Sequence, residues 1–189
     1  MTIYSSKVWV TKEGQAPVGV IGNAGTSVSE GIEVEFNIAL TDWLTTGVSV
    51  ATLNSEYDEF VEGPCPLQAT TSTCDLSGKT TPMAPEYSGS AYADVFTDVG
   101  ENLYLTGGIT VTFSDSYLTD GALNPGGEQD SYHKIDARIG LTNDDNWSIF
   151  LVGKNLTDEA TIGGSIPFIG VIGYVQAPRT ITLQGNYTF

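Results

Sequence analysis

Apolar residues fall on every second position through most of this 189-residue chain, and a period of two restricts it to β-strands. Ile32, Val34, Phe36, Ile38 and Leu40 alternate with Glu33, Glu35, Asn37 and Ala39. Leu103, Leu105, Ile109, Val111 and Phe113 alternate with Tyr104, Thr106, Thr110, Thr112 and Ser114. Ile135, Ala137, Ile139 and Leu141 alternate with Lys134, Asp136, Arg138 and Gly140. The last residues, T-I-T-L-Q-G-N-Y-T-F, keep Ile181, Leu183, Gly185, Tyr187 and Phe189 on one parity and stop on an aromatic. No segment carries a convincing helical period. The pattern predicts about eight strands, roughly 2–11, 26–40, 44–57, 86–97, 102–115, 131–143, 147–155 and 179–189. Three connections are short, at Thr41-Asp42-Trp43, Asp98 to Glu101 and Asp144-Asp145-Asn146. The others, about 12–25, 58–85, 116–130 and 156–178, are long, and short and long alternate strictly.

Several of these strands run for about 10 residues, more than the roughly 5–6 usual in globular proteins and close to what a tilted strand needs to cross a bilayer. Short turns at one end and long loops at the other are the arrangement of a membrane barrel. One face of the strands carries Val, Ile, Leu and Phe; the other carries Thr, Ser, Asn, Gln and charges. Lipid against the first and a wet lumen against the second would suit both. Trp43, Trp147, Tyr187 and Phe189 fall near the short-turn end, where an aromatic girdle is expected, and Tyr57, Tyr87, Phe113, Tyr117 and Tyr132 near the long-loop end. The expected fold is all-β, an antiparallel up-and-down meander of about eight long strands forming a transmembrane β-barrel segment. Two rivals remain open: an autonomous eight-stranded outer-membrane barrel, and a soluble β-barrel or sandwich binding module with its apolar face packed inward.

Lys plus Arg number 7 against 23 Asp plus Glu, a net charge of −16, which argues against nucleic-acid binding. Charged residues are only 16%, low for a soluble domain. No stretch is long and apolar enough for a membrane-spanning helix. The first residues lack the basic start and apolar run of a signal peptide. Cys65 and Cys74 share one Pro/Thr/Ser-rich segment. They are too few for a zinc site. A local disulfide in an exposed loop, implying an oxidising compartment, is expected; two free thiols are the alternative.

Catalytic chemistry is not apparent. The single histidine, His133, has no Ser or Cys partner placed for nucleophilic catalysis and reads as a rim or packing residue. G-A-L-N-P-G-G and I-G-G-S-I-P-F-I-G open no helix and precede no Lys-Ser/Thr, so they are loop backbone rather than phosphate loops. Asp115, Asp120, Glu128 and Asp130 fit no calcium-ligand spacing and read as a solvated acidic loop. Lys134, Asp136 and Arg138 on one face of one strand read as an ion-paired wall. No catalytic residue, metal ligand or cofactor is expected, and the chain is not expected to be an enzyme.

Several stretches resemble the late strands of TonB-dependent outer-membrane receptors. G-I-E-V-E-F (Gly31–Phe36) leads into a strand ending N-S-E-Y-D-E-F (Asn54–Phe60), and D-L-S-G-K-T-T-P-M-A-P-E-Y-S-G-S (Asp75–Ser90) is a loop entering the next strand. The most specific pair is V-G-K-N-L-T-D-E (Val152–Glu159) followed by A-P-R-T-I-T-L-Q-G-N-Y-T-F (Ala177–Phe189). The resemblance covers essentially the whole chain. It implies the C-terminal third of a barrel of about 22 strands, lacking an N-terminal plug domain and about fourteen strands. It further implies outer-membrane lipid around the barrel, a plug and the TonB energy-transducing complex as partners in the intact family, and import of a siderophore, vitamin or oligosaccharide across a Gram-negative outer membrane. Tyr187 and Phe189 resemble the terminal aromatic signal read by the barrel-assembly machinery.

Overall fold

The computed structural model describes residues 5–10, 18–23, 25–143 and 146–188. Strands β1 (Ser5–Val10) and β2 (Val18–Asn23) form a two-stranded antiparallel hairpin. Seven strands build the main sheet: β3 (Thr26–Thr41), β4 (Leu44–Glu59), β5 (Tyr87–Gly100), β6 (Leu103–Ser114), β9 (Tyr132–Asn143), β10 (Trp147–Lys154) and β13 (Thr180–Tyr187). Each pairs antiparallel with its sequence neighbour, in the order β13-β10-β9-β6-β5-β4-β3. The meander expected from the sequence is therefore present with seven strands. The expected first strand instead pairs locally with β2, which lies in what the sequence suggested was a loop. Residues 2–4 and 11, the rest of that expected strand, lie outside the described residues. Two further hairpins sit inside the long loops: β7 (Tyr117–Leu118) with β8 (Glu128–Gln129), and β11 (Ile162–Pro167) with β12 (Val171–Val175). They escaped the sequence reading because two are only two residues long and the Gly-rich β11 and β12 alternate poorly.

Register sorts side chains into rows that cross the sheet. Leu44, Val95, Gly107, Ile139, Leu151 and Leu183 oppose one another across six strands. One residue along, the row is Thr45, Asp94, Gly108, Arg138, Val152 and Thr182. Because side chains alternate between faces, the first row and its equivalents make one apolar face and the second a polar one. The apolar face is bare: Ile32 is 70% exposed and Leu183 is 69% exposed. A soluble sandwich would bury this face under a second layer. Among the described residues no such layer exists. The outer edges of β3 and β13 do not pair with one another, so these seven strands do not close on themselves.

The short turns use local chemistry. Between β3 and β4 the Trp43 amide donates to Thr41 Oγ1, and the Trp43 carbonyl accepts from the Phe96 amide on β5. Between β5 and β6 the left-handed position is taken by Asn102, at φ 55°, one of the few residue types that tolerate it. At the third turn the Asn146 carbonyl accepts from the Thr188 amide, and its side-chain amide donates to the Tyr187 hydroxyl.

Aromatic rings cover glycines on neighbouring strands. Tyr92 lies over Gly47, Phe150 over Gly140 and Phe113 over Gly89, each a directly opposed pair. A ring laid flat on a strand fills the space left by a missing Cβ and restores the packing that glycine lacks. Tyr92 also donates from its hydroxyl to Asn37 Oδ1 (2.8 Å), so three strands are tied on the polar face. Gly47→Val is expected to displace Tyr92 and destabilise the sheet by about 1–3 kcal/mol. Gly185→Ala on β13, where nothing lies within 4 Å of the added carbon, is expected to stay within about 0.5 kcal/mol. Denaturant titration of the folded protein compares them.

Candidate functional site: a loop roof over a polar wall

The most deeply buried residues of this chain lie mainly in its loops. Phe60 and Leu76 form a small core, flanked by Tyr57, Cys74 and Leu123. Most of the other buried side chains are polar: Asn124 and Thr161 are at most 1% exposed, and Asp120, Gln129, Thr119 and Ser165 are also buried. Buried polar groups are expensive unless bonded, so their partners define the structure.

The loop 60–86 folds on itself. The Phe60 amide donates to Ser77 Oγ (2.9 Å), the Leu76 amide to the Phe60 carbonyl, and Gly63 and Cys74 exchange backbone bonds. Cys65 and Cys74 are joined here, with Cα atoms 5.1 Å apart, closing the outer half of the loop. Its second half returns along β4, through Tyr57 to Lys79 and Thr81 to Ser55 backbone bonds. Asp75 starts the turn between. Its carboxyl titrates below the usual aspartate range because the Ser77 hydroxyl and the Ser77 amide both bond it.

Loop 115–131 supplies the hub. Asp120 Oδ1 accepts from the Ala122 amide and from Asn124 Nδ2 (both 2.9 Å), and Asp120 Oδ2 accepts from Ser165 Oγ in loop 155–179. Asn124 Oδ1 accepts from the Leu67 amide of the first loop (2.8 Å). Thr119 Oγ1 donates to the Gly127 carbonyl and meets Ser165 Oγ at 2.6 Å. The Met83 amide donates to the Leu118 carbonyl. Three loops far apart in sequence are thus knitted into one roof. This corrects the expectation that Asp120 belongs to a solvated acidic loop: it is 5% exposed and is the acceptor around which the roof assembles. The turn-forming run D-G-A-L-N-P-G-G was its only sequence signal.

The motif pair K-N-L-T-D and P-R forms a clasp at the root of loop 155–179. The Asn155 amide donates to Asp136 Oδ1, Asn155 Nδ2 donates to the Glu159 and Ala177 carbonyls, and Asn155 Oδ1 accepts from the Glu159 amide. Arg179 pairs with Asp158 at 3.0 Å and reaches the Leu156 carbonyl. Asn155 and Asp158 both sit at positive φ, 50° and 57°, which Asn and Asp tolerate.

Below the roof, the polar face is charged. Lys154 pairs with Asp136 at 2.8 Å and Arg138 approaches Asp94 at 3.7 Å. Both pairs are well exposed, so each contributes about 0–1 kcal/mol. Lys134, expected with them in the ion-paired wall, instead donates to Thr161 Oγ1 and Gln176 Oε1 and lies 5.4 Å over the Tyr132 ring, joining wall to roof. Where roof and wall meet, Ser49, Ser88, Ser90, Thr112 and Glu33 line a concavity under Met83, Tyr117 and Tyr132. Burial, together with the neighbouring Tyr132 hydroxyl, pushes the Tyr117 phenol up. His133 lies opposite Phe113, with its position on the apolar face of the sheet. Among the described residues no group of three or more His, Cys, Asp or Glu side chains is placed to hold a metal ion.

An antiparallel meander, apolar on one face and charged on the other, with short turns at one end and a folded roof of loops at the other, is a section of a barrel wall. Residues 6–156 match the family model described as TonB dependent receptor-like, beta-barrel, and the chain belongs to that family. Its fold is similar to that of the ferric yersiniabactin uptake receptor FyuA from Yersinia pestis, with TM-score 0.73, 17% identity and 90% of this chain covered against 25% of that one. It is similar to the siderophore receptor PiuA from Acinetobacter baumannii, with TM-score 0.68, 19% identity and 97% covered against 24%. It is also similar to the ferric-catecholate import receptor Fiu from E. coli, with TM-score 0.63, 20% identity and 90% covered against 22%. The chain thus spans about a quarter or less of the length of these structures. No curated protein matches it by sequence.

Removing the hub should loosen the roof. Asp120→Ala is expected to speed hydrogen exchange at the Leu67 and Ala122 amides about tenfold or more, since a buried bond network loses about 1–3 kcal/mol when one partner goes. Asp115→Ala, whose side chain is not part of that network, should leave both rates within about twofold. The lowered Asp75 pKa has a definite sign. Its hold on the turn is complete above the ordinary aspartate pKa and fades as pH falls through the lowered value. Ser77→Ala should move the Asp75 titration, followed by carboxyl NMR shifts, back up toward the ordinary range.

Proposed function

We propose that this chain is part of the wall, and three of the outer loops, of a Gram-negative outer-membrane receptor that imports a bulky nutrient. The observation that carries this reading is the bare apolar face running across the sheet opposite a charged face. Lipid on one side and a water-filled lumen on the other satisfy both, and strands can cross a bilayer only as part of a closed barrel. Because the seven strands do not close, a larger barrel is favoured over an autonomous small one. In that barrel a plug domain, the TonB complex and the barrel-assembly machinery are the partners, and the activity is energised import rather than catalysis. The names of the three similar structures support a siderophore ahead of a vitamin or oligosaccharide as substrate. The Cys65–Cys74 pair lies in a roof loop that faces outward in this reading, where thiols oxidise.

Tyr187 faces out beside Trp147 at the short-turn end, as an aromatic girdle requires. Phe189, the other half of the proposed assembly signal, lies outside the described residues. Deleting Phe189 from the full-length receptor is expected to lower its yield in the outer membrane more than the stability of the refolded barrel; equal yield would overturn the assignment.

The solvent assignment is tested by neighbours of opposite parity. Val50→Arg puts a charge on the apolar face and is expected to destabilise the bilayer-inserted barrel by about 2–4 kcal/mol near mid-membrane. Ser49→Arg, on the polar face, should cost less than about 1 kcal/mol. Urea titration in lipid vesicles measures both, and equal losses would sink the lipid-facing assignment. Loss of growth on one ferric siderophore in a strain lacking the receptor identifies the cargo.

A further inference from the structure

Between Ala160 and Pro178 the chain carries no charged residue, in a protein with 30 charged side chains (Lys+Arg 7, Asp+Glu 23). This stretch is the β11–β12 hairpin. Its inner face is seated on loop 115–131: Ser165 bonds Thr119 and Asp120, and Val171 packs against Gly126. Its base is pinned by Lys134 to Thr161 and Gln176. Among the described residues nothing covers the opposite face. Ile166 opposes Ile172 there, Tyr174 follows, and the tip raises Phe168, 72% exposed, and Ile169, 92% exposed. A contiguous apolar surface of this kind on a rigidly held hairpin marks an interaction site.

Position selects the occupant. Loop 115–131 joins β6 to β9, whereas the hairpin joins β10 to β13, at the sheet's end. Leaning on loop 115–131, the hairpin turns its bare face away from the loops already described. In that direction the next structure is whatever pairs with the free edge of β13. Among the described residues no strand pairs with that edge, and a lipid environment does not tolerate a strand edge left without a partner strand, so a further strand must add there. We infer that the bare face of the β11–β12 hairpin is the docking surface for the loop carried by that added strand, and that the loop meets it with uncharged, apolar side chains. The hairpin is then a latch that closes this strand junction above the membrane, complementing the hydrogen bonds that close it within. This rests on the reading of the chain as part of a larger barrel.

The experiment uses the full-length receptor in the outer membrane of intact cells. Ile169→Cys is expected to react with a membrane-impermeant maleimide at least tenfold more slowly than Glu128→Cys, an exposed position on β8. Comparable rates in a barrel that still shows heat-modifiable migration would overturn the docking inference while leaving the barrel reading intact. As a second measurement, p-benzoylphenylalanine replaces Phe168 and is photolysed. Crosslinked peptides joining the hairpin to the loop of the strand beside β13 are expected. An adduct with a separate protein or with lipopolysaccharide, or no crosslink, would overturn the inference. Recovery from membranes of a product no longer than these 189 residues would instead remove the barrel reading beneath it.

Discussion

Everything in this molecule depends on the antiparallel ladder, because it alone holds the two faces of the sheet apart. A sheet this wide normally buries its apolar face in a core. Here, among the described residues, the rows through Leu183 and Ile32 have no partner layer, while the rows through Asp94 and Arg138 are exposed on the other side. The backbone hydrogen bonds are therefore not a supplement to hydrophobic packing. They are what keeps the strands in register, with aromatic rings over Gly47, Gly89 and Gly140 tightening individual pairs. Such a sheet is stable only between two unlike solvents, and that requirement carries the functional reading further than any single residue does.

Packing of the usual kind is displaced into the loops. Phe60 and Leu76 make a core too small to fold a domain, so polar groups take over. Asp120, Asn124, Thr119 and Ser165 form a network in which each buried side chain has at least one partner in another loop. A roof built this way is specific in geometry, since hydrogen bonds are directional where apolar contacts are not. Where it meets the wall, Tyr117 and Met83 stand over the hydroxyls of Ser49, Ser88, Ser90 and Thr112.

The sequence was legible where periodicity carries the information. The limits of β3, β4, β6 and β9 agree with the alternation to within a residue or two, and the short turns lie where the alternation breaks. It was least legible in the loops. D-G-A-L-N-P-G-G contains no hint that Asp120 and Asn124 would be buried, because their partners Ser165 and Leu67 belong to segments more than 40 residues away. The K-N-L-T-D and P-R pair was recognisable as a motif, but its meaning as an Asn155 and Arg179 clasp needed both segments side by side. The first strand lies where the alternation puts it, but its pairing was not legible for a related reason: alternation says that a segment is extended and does not say which neighbour it pairs with.

By itself, then, the sequence determined the strands, their two faces and the end of the sheet that would carry the loops, since these follow from the identity of nearest neighbours along the chain. Only the tertiary structure decided that seven strands pair in one unclosed sheet, that three loops lock around Asp120, and that the β11–β12 hairpin turns an uncharged apolar face outward. These depend on contacts between residues far apart in the chain. Their energy lies in the geometry of the meeting and not in the residues taken one at a time.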